Sequence, residues 1–251
     1  MDTLLISIAI LPVVILAVVV YRQDKIEKEP FGKLLLAFFM GCVSVLPAVG
    51  LETILSMLTP DVPILRGLWD GYIVAGCSEE FSKLLMLYLA IWKSREFNEY
   101  FDGIVYACFV SLGFACVENI GYVAGAEDYA QAMMTGTQRA ILSVPGHFLF
   151  GVMMGYHFAL AKFIPERRGH YLFMAFLIPM LLHGTFDALL MVGEDLGSDI
   201  PAVSTLLFIV FIFFDIRLWK WGMRRTRRLQ ELSRNQDVNR SNPFEGFKWY
   251  V

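Results

Sequence analysis

The chain has 251 residues, of which 57% are apolar and only 18% are charged, with a formal net charge of −3. Soluble globular domains are roughly one-quarter charged, so this composition excludes an ordinary soluble domain and is typical of a membrane protein.

Long apolar stretches indicate how the chain would cross a membrane. A helix needs ~20 predominantly apolar residues to span the hydrocarbon core of a bilayer. The first stretch lacks preceding positive charges and is longer than the apolar part of a signal peptide, so we expect it to be retained. The predicted fold class is an all-α, polytopic membrane protein. Its spans are about seven, at roughly residues 3–21, 34–58, 71–92, 103–124, 139–162, 171–193 and 200–219.

The connecting segments indicate the orientation of these spans. Segments rich in lysine and arginine alternate with segments that have few, and the rich ones normally face the cytoplasm. This pattern predicts that the N-terminus lies outside and the C-terminus in the cytoplasm. We expect one transmembrane domain over residues 1–219, followed by a basic cytoplasmic tail over 220–251 that attracts anionic lipids. The rich segments contain Arg22, Lys25, Lys28 and Lys33, then Lys93 and Arg95, then Lys162, Arg167 and Arg168, then Arg217, Lys220, Arg224, Arg225, Arg227 and Arg228.

Seven ionisable side chains lie well inside the predicted spans. A charge at the centre of a transmembrane helix costs about 2.5–3.5 kcal/mol on the insertion scale, so such residues usually face the interior of the bundle. We therefore take these seven as candidate site residues. They are Glu79, Glu80 and Lys83 in the third span, Glu118 in the fourth, His147 in the fifth, and His183 and Asp187 in the sixth.

The estimated depths of these residues in the membrane are similar. With a rise of 1.5 Å per residue from the predicted span ends, Glu79 and His147 lie about 12 Å below the outer surface. Glu118 and Asp187 lie about 9 Å deep by the same measure, and His183 about 15 Å deep. Four helices therefore bring polar groups to one layer in the outer half of the membrane.

The spacing along each helix places several of these groups on one face. Lys83 follows Glu79 by four residues and Glu80 by three, so it can pair with either carboxylate. His183 and Asp187 are likewise four residues apart. Carboxylates, histidines and a lysine held away from lipid are suited to hydrolysis by an activated water.

Two mechanisms of hydrolysis are open at this point. In one, His147 and His183 bind zinc together with Glu118 or Asp187, and one of the paired glutamates activates the bound water. In the other, no metal is present, the histidines stabilise an oxyanion, and a glutamate acts on water directly. The chain has no HExxH pair, which disfavours the zincin class.

Four short motifs occur in order on successive spans. They are EEFSK (Glu79–Lys83), FACVE (Phe114–Glu118), HFLFG (His147–Gly151) and HGTFD (His183–Asp187). This order resembles the PrsW-type intramembrane proteases, relatives of the CAAX-processing and bacteriocin-immunity membrane proteins. The wider superfamily has an EExxxR first motif and a histidine in an FxxxH second motif. Here Lys83 comes one position earlier and Glu118 replaces the histidine, which favours the PrsW branch.

The resemblance implies a bacterial, multi-pass protease of the cell membrane. Its substrate would be a single-span membrane protein, an anti-sigma factor, cut first on the outer side. No nucleic-acid partner is expected. By the same resemblance, Glu79 and Glu80 supply the catalytic carboxylate, Glu118 and His183 complete the core, and His147 and Asp187 assist. We place the catalytic core at about residues 71–193 and include Lys83 among the catalytic candidates.

Two other classes of protein fit part of the pattern. A proton- or cation-coupled transporter would also bury carboxylates and histidines, but it would string them across the membrane and commonly has repeats. A non-proteolytic membrane protein, such as an immunity or assembly factor, would not need the full set of groups.

The outer loop Gly125–Arg139 joins the spans of Glu118 and His147, so we expect it to gate the site or to recognise substrate.

Overall fold

The structure is a computed structural model that describes residues 2–197 and 200–241, with side chains described as far as residue 237. Within these ranges the chain forms nine α-helices and no strand. A π-helical segment, Asp70–Cys77, joins α3 to α4, and a 3-10 turn, Pro165–Arg167, precedes α8. The α-helices are α1 (Thr3–Gln23), α2 (Phe31–Ser56), α3 (Pro63–Trp69), α4 (Ser78–Ile91), α5 (Asp102–Ala124), α6 (Tyr129–Ile141), α7 (Ser143–Phe163), α8 (Arg168–Gly197) and α9 (Pro201–Ser241).

The helices confirm the predicted all-α membrane architecture. In the described part of the chain, α1, α2, α5, α8 and α9 are each long and apolar enough to cross a membrane. The predicted third span is divided between the π-helical segment and α4, and the short helix α3 precedes it. The predicted fifth span is α7, which is 21 residues long but carries glycines and histidines among its apolar residues. The direction of the chain across the membrane remains a prediction.

Helix α5 is the centre of the bundle. Of its most apolar stretch, 83% of the residues are buried in the protein, against 11% for α9 at the periphery. It packs against α1, α2 and α7, while α7 also packs against α8. A methyl group at Gly155 of α7 would overlap the backbone of Gly103 in α5, so these two helices meet backbone to backbone. The fourth and fifth predicted spans therefore form the best-buried pair.

The connection between α5 and α7 differs from the predicted loop. It contains α6, a helix whose N-terminus is capped by Asp128, because that carboxylate accepts a hydrogen bond from the backbone N–H of Gln131 (2.8 Å). Ala132 and Gly136 are buried one turn apart, and this face of α6 packs against α1. The loop thus has its own amphipathic helix at the end of the bundle predicted to face outward, called the outer end below.

Helix α9 extends far beyond the predicted end of the last span. Its helical backbone continues from the apolar part through the arginine-rich part to Ser241. The first part of the predicted basic tail is therefore a continuation of the last spanning helix. The rest of that tail, residues 242–251, lies outside the described residues.

Candidate active site

The paired glutamates lie where the π-helical segment becomes a regular α-helix. Glu79 and Glu80 occupy the first turn of α4, and they are only 5% and 0% exposed. π-Helical turns inside helices often occur at functional sites, because the wider turn changes which side chains face a neighbour. Gly71 and Gly76 let this segment approach α8 closely at Gly184.

Lys83 joins the two carboxylates, as its spacing predicted. Its ammonium nitrogen donates hydrogen bonds to Oε2 of Glu79 (2.9 Å) and to Oε1 of Glu80 (2.8 Å). The same nitrogen is 3.1 Å from Nδ1 of His147 and 4.0 Å from the centre of the Phe114 ring. Because Lys83 is fully buried, these contacts replace all of its hydration.

His183 connects α8 to the paired glutamates. Its Nδ1 lies 2.9 Å from Oε1 of Glu80 and 3.9 Å from Oε2 of Glu79, while its Nε2 lies 3.1 Å from Oδ2 of Asp187. The ring of Phe150 stacks on the imidazole, with 4.7 Å between ring centres. The carboxylate contacts on both ring nitrogens fix the orientation of this histidine.

His147 has a comparable arrangement on α7. Its Nδ1 faces Lys83, and its Nε2 is 2.7 Å from Oε2 of Glu118. The same Glu118 oxygen is 2.7 Å from Nη2 of Arg139, whose Nε donates to Oδ1 of Asn119 (3.0 Å). The other five residues singled out in the sequence are thus connected to the paired glutamates, either directly or through one histidine.

Arg139 is a site residue that the sequence pattern did not reveal. In the sequence it marks the start of the fifth predicted span, and it looks like one of the charges that set topology. In the structure it belongs to α6, which is separated from α7 at Leu142. Only the turn between these two helices brings its guanidinium back over α5 to Glu118.

Four of the residues form a group that suits a metal ion. Glu79, Glu80, His147 and His183 are buried, and each offers one donor atom within 4.8 Å of the other three. Two imidazole nitrogens and carboxylate oxygens are a donor set that zinc prefers. Lys83 contacts three of these residues, so its ammonium and a metal ion would compete for the same lone pairs.

The contacts around the two histidines also fit a metal. A metal-bound histidine usually donates its second ring N–H to a carboxylate, a backbone carbonyl or a water molecule. Glu118 provides that carboxylate for His147 and Asp187 provides it for His183. Glu118, which the sequence suggested as a ligand itself, is therefore on the far side of the His147 ring from the four-residue group.

A groove leads from the outer end of the bundle to this group. It has a volume of about 930 Å³ and runs between α2, the π-helical segment and α5. Glu79 and Glu118 line it, whereas Glu80 is fully buried behind them. Most of the remaining lining is apolar, including Val49, Val74 and Phe114. The first glutamate of the pair is thus the one that a molecule in the groove would meet.

The comparisons with known proteins show the family to which the chain belongs. A family model described as PrsW family intramembrane metalloprotease matches residues 29–215. The chain is 33% identical to the protease PrsW of Geobacillus kaustophilus, over 93% of this chain and 96% of that protein. It is 33% identical to the protease PrsW of Clostridioides difficile (90% and 92%) and 30% identical to that of Bacillus subtilis (92% and 98%). No solved structure matches the chain significantly. The chain therefore belongs to the PrsW family of intramembrane proteases.

Proposed function

We propose that this protein hydrolyses a peptide bond of a single-span membrane protein near the outer face of the bacterial cell membrane. The substrate we propose is an anti-sigma factor, which this multi-pass protein would cut before a second protease acts. The observation that carries the proposal is the groove, because it connects the outer end of the bundle with Glu79. We also propose a relationship to the CAAX-processing membrane proteins, which the order of the four sequence motifs supports.

The paired glutamates have different roles in this proposal. Glu79 borders the groove and accepts a proton from the water that attacks the substrate carbonyl. It later gives a proton to the departing amine nitrogen as the carbon–nitrogen bond breaks. Glu80 does not reach the groove, and it holds Lys83 and His183 in place through hydrogen bonds of 2.8 and 2.9 Å. The ammonium of Lys83 keeps the two neighbouring carboxylates from repelling each other.

The two histidines and their carboxylate partners form the other half of the site. Glu118 and Asp187 each hold one ring nitrogen, so the opposite nitrogen of each imidazole faces the paired glutamates. The residues that would hold a metal ion are Glu79, Glu80, His147 and His183. A bound divalent metal would lower the pKa of a water molecule and polarise the substrate carbonyl. Without a metal, the same imidazoles would stabilise the oxyanion as hydrogen-bond donors.

The proposal is tested in the native cell by comparing membrane proteomes. Cells producing Glu79→Gln or Glu80→Gln should accumulate one single-span protein at full length, which loses its outer domain in cells with the unchanged protein. Glu194→Gln, an exposed carboxylate at the outer end of α8, should behave like the unchanged protein. If no protein changes length while proton or cation flux changes, the site serves transport and the protease proposal is wrong.

The role of a metal needs a separate measurement. We expect the purified protein to contain about one zinc ion per chain, and His183→Ala to contain far less, because that variant loses one of four donors. A chelator should abolish cleavage, and zinc should restore it. Metal-free protein that cleaves at the normal rate would support the mechanism that uses glutamate alone.

A further inference from the structure

We propose that the groove selects substrate segments carrying a lysine or arginine on the outer side of the bond to be cut, and that Glu52 recognises this side chain. The inference rests on the proposed function, since it names the substrate chemistry of the same site. The observation behind it is the set of carboxylates that line the groove, because some of them are paired with other residues of the protein and one is not.

The dimensions of the groove suit a short extended segment. Along α5 it reaches from Phe114 to Gly125, about 16 Å at 1.5 Å per residue. An extended chain advances ~3.3 Å per residue, so this length accommodates about five residues. An extended segment also presents its peptide groups to Glu79, whereas a helix keeps its carbonyls in internal hydrogen bonds. The occupant is therefore a stretch of substrate unwound near the end of its membrane helix.

Four carboxylates line the groove, and the protein pairs most of them. Glu79 is paired with Lys83 at 2.9 Å, and Glu118 with Arg139 at 2.7 Å. Asp70 accepts a hydrogen bond from the hydroxyl of Thr59 (2.7 Å). The fourth carboxylate, Glu52, makes no hydrogen bond and no ion pair with any residue that the structure describes.

Glu52 is positioned to contact a molecule that enters the groove. It lies one turn from the end of α2, is half-buried, and interacts electrostatically with Glu118 and Lys83 of the site. A carboxylate partly removed from water without a partner is unfavourable, and a cation that enters beside it removes this penalty. Glu79 lies deeper, so a basic side chain at Glu52 belongs to the outer flank of the bond to be cut.

The test uses purified protein in lipid nanodiscs and two synthetic single-span peptides. The two peptides share the same apolar span and a five-residue outer flank. They differ at one position of that flank, which is lysine in one peptide and glutamate in the other. We measure binding by fluorescence anisotropy and cleavage by mass spectrometry. The unchanged protein should bind the lysine peptide roughly tenfold more tightly, and Glu52→Lys should reverse this preference. Glu52→Gln, a nearly isosteric change, should reduce the preference to less than about threefold.

Glu194→Lys is the matched control, because it makes the same charge change at the outer end of the bundle but outside the groove. It should keep the tenfold preference. Equal binding of both peptides by the unchanged protein, or a preference that Glu52→Lys and Glu52→Gln leave intact, would overturn the inference. If instead the preference behaves as expected while Glu80→Gln cleaves at the normal rate, the groove inference holds and the proposed catalytic role fails.

Discussion

At the residue scale, the side chain of Arg139 connects the outer helix α6 to the buried site. Its guanidinium contacts Glu118 at 2.7 Å, bonds Asn119 and lies 4.1 Å from the centre of the Tyr122 ring. Glu118 in turn orients His147. Because a planar guanidinium can make these contacts together, Arg139 is suited to position Glu118 without touching the substrate itself.

We expect Arg139→Gln to lower kcat about 10- to 100-fold while KM changes little, since the loss of an orienting partner disturbs the catalytic geometry. Arg139→Lys should recover part of the loss, because it restores the charge but not the planar fork. Cleavage kinetics in nanodiscs provide the measurement. Arg66→Gln is the control, because that exposed arginine at the outer end donates a side-chain hydrogen bond to the backbone carbonyl of Asp61 (3.3 Å) and lies away from Glu118. A rise in KM with unchanged kcat would place Arg139 in substrate binding instead.

The charges of the site residues do not balance among themselves. Glu79, Glu80, Glu118 and Asp187 bring four carboxylates together, while Lys83 and Arg139 are the permanent cations in contact with them in the described part of the chain. Two carboxylates are therefore left without a permanent cation. A divalent metal ion would supply the two missing positive charges, as would protonation of both histidines.

At the level of secondary structure, two irregular segments shape the site. The π-helical segment before Glu79 and the separate helix α6 both interrupt stretches that look like uniform spans in the sequence. Apolar composition identifies a span, but it does not reveal a widened turn, because a π-helix and an α-helix bury similar side chains. The sequence therefore located the paired glutamates but missed the turn that directs them.

The contact between α5 and α7 gives a prediction about stability. Gly155→Ala should lower the free energy of unfolding by about 1–3 kcal/mol, because the added methyl group would overlap the backbone of Gly103 and separate the helices. Gly50→Ala, where a methyl group meets no atom within 4 Å, should be neutral or slightly stabilising. Thermal unfolding in detergent compares the two variants. Equal stability of both would mean that the helix contact is looser than described.

At the scale of the whole molecule, the sequence predicted the depth of the site residues in the membrane, but it did not predict which side chains of neighbouring helices pair with each other. The rise per residue placed Glu79, Glu118 and His147 in one layer, and they do meet in the structure. The pairing of Glu118 with His147 depends on how each helix is rotated about its axis. That rotation is set by close backbone contacts, such as the one at Gly155, which apolar periodicity alone does not specify.

A second buried acidic cluster lies at the end of the bundle away from the outer end, and it affects how stability depends on pH. Glu99 lies between α4 and α5, is 2% exposed, and its Oε2 has no hydrogen-bond partner among the described residues. Burial, together with the nearby carboxylates of Asp102 and Asp24, raises the pKa of Glu99 to about 7. Burial likewise raises the pKa of Glu29, in the α1–α2 connection, to about 7.

These raised pKa values predict that the protein is more stable at pH 6 than at pH 8. The folded chain retains protons on Glu29 and Glu99 that the unfolded chain releases near the ordinary carboxyl pKa of 4.5. Their stabilising contribution is therefore complete below about pH 4.5 and is lost as pH rises through 7. For Glu99, the free energy of unfolding should fall by about 1 kcal/mol between pH 6 and pH 8, and Glu29 should add to this fall.

Glu99→Gln tests this pH dependence, because glutamine keeps the shape of the protonated side chain and cannot lose a proton. The variant should be more stable than the unchanged protein at pH 8, and its loss of stability between pH 6 and pH 8 should be smaller by about 1 kcal/mol. Glu166→Gln, at an exposed position on the same end of the bundle, should leave the pH dependence unchanged. Parallel pH profiles for Glu99→Gln and the unchanged protein would show that Glu99 is already ionised at pH 6 in the folded chain.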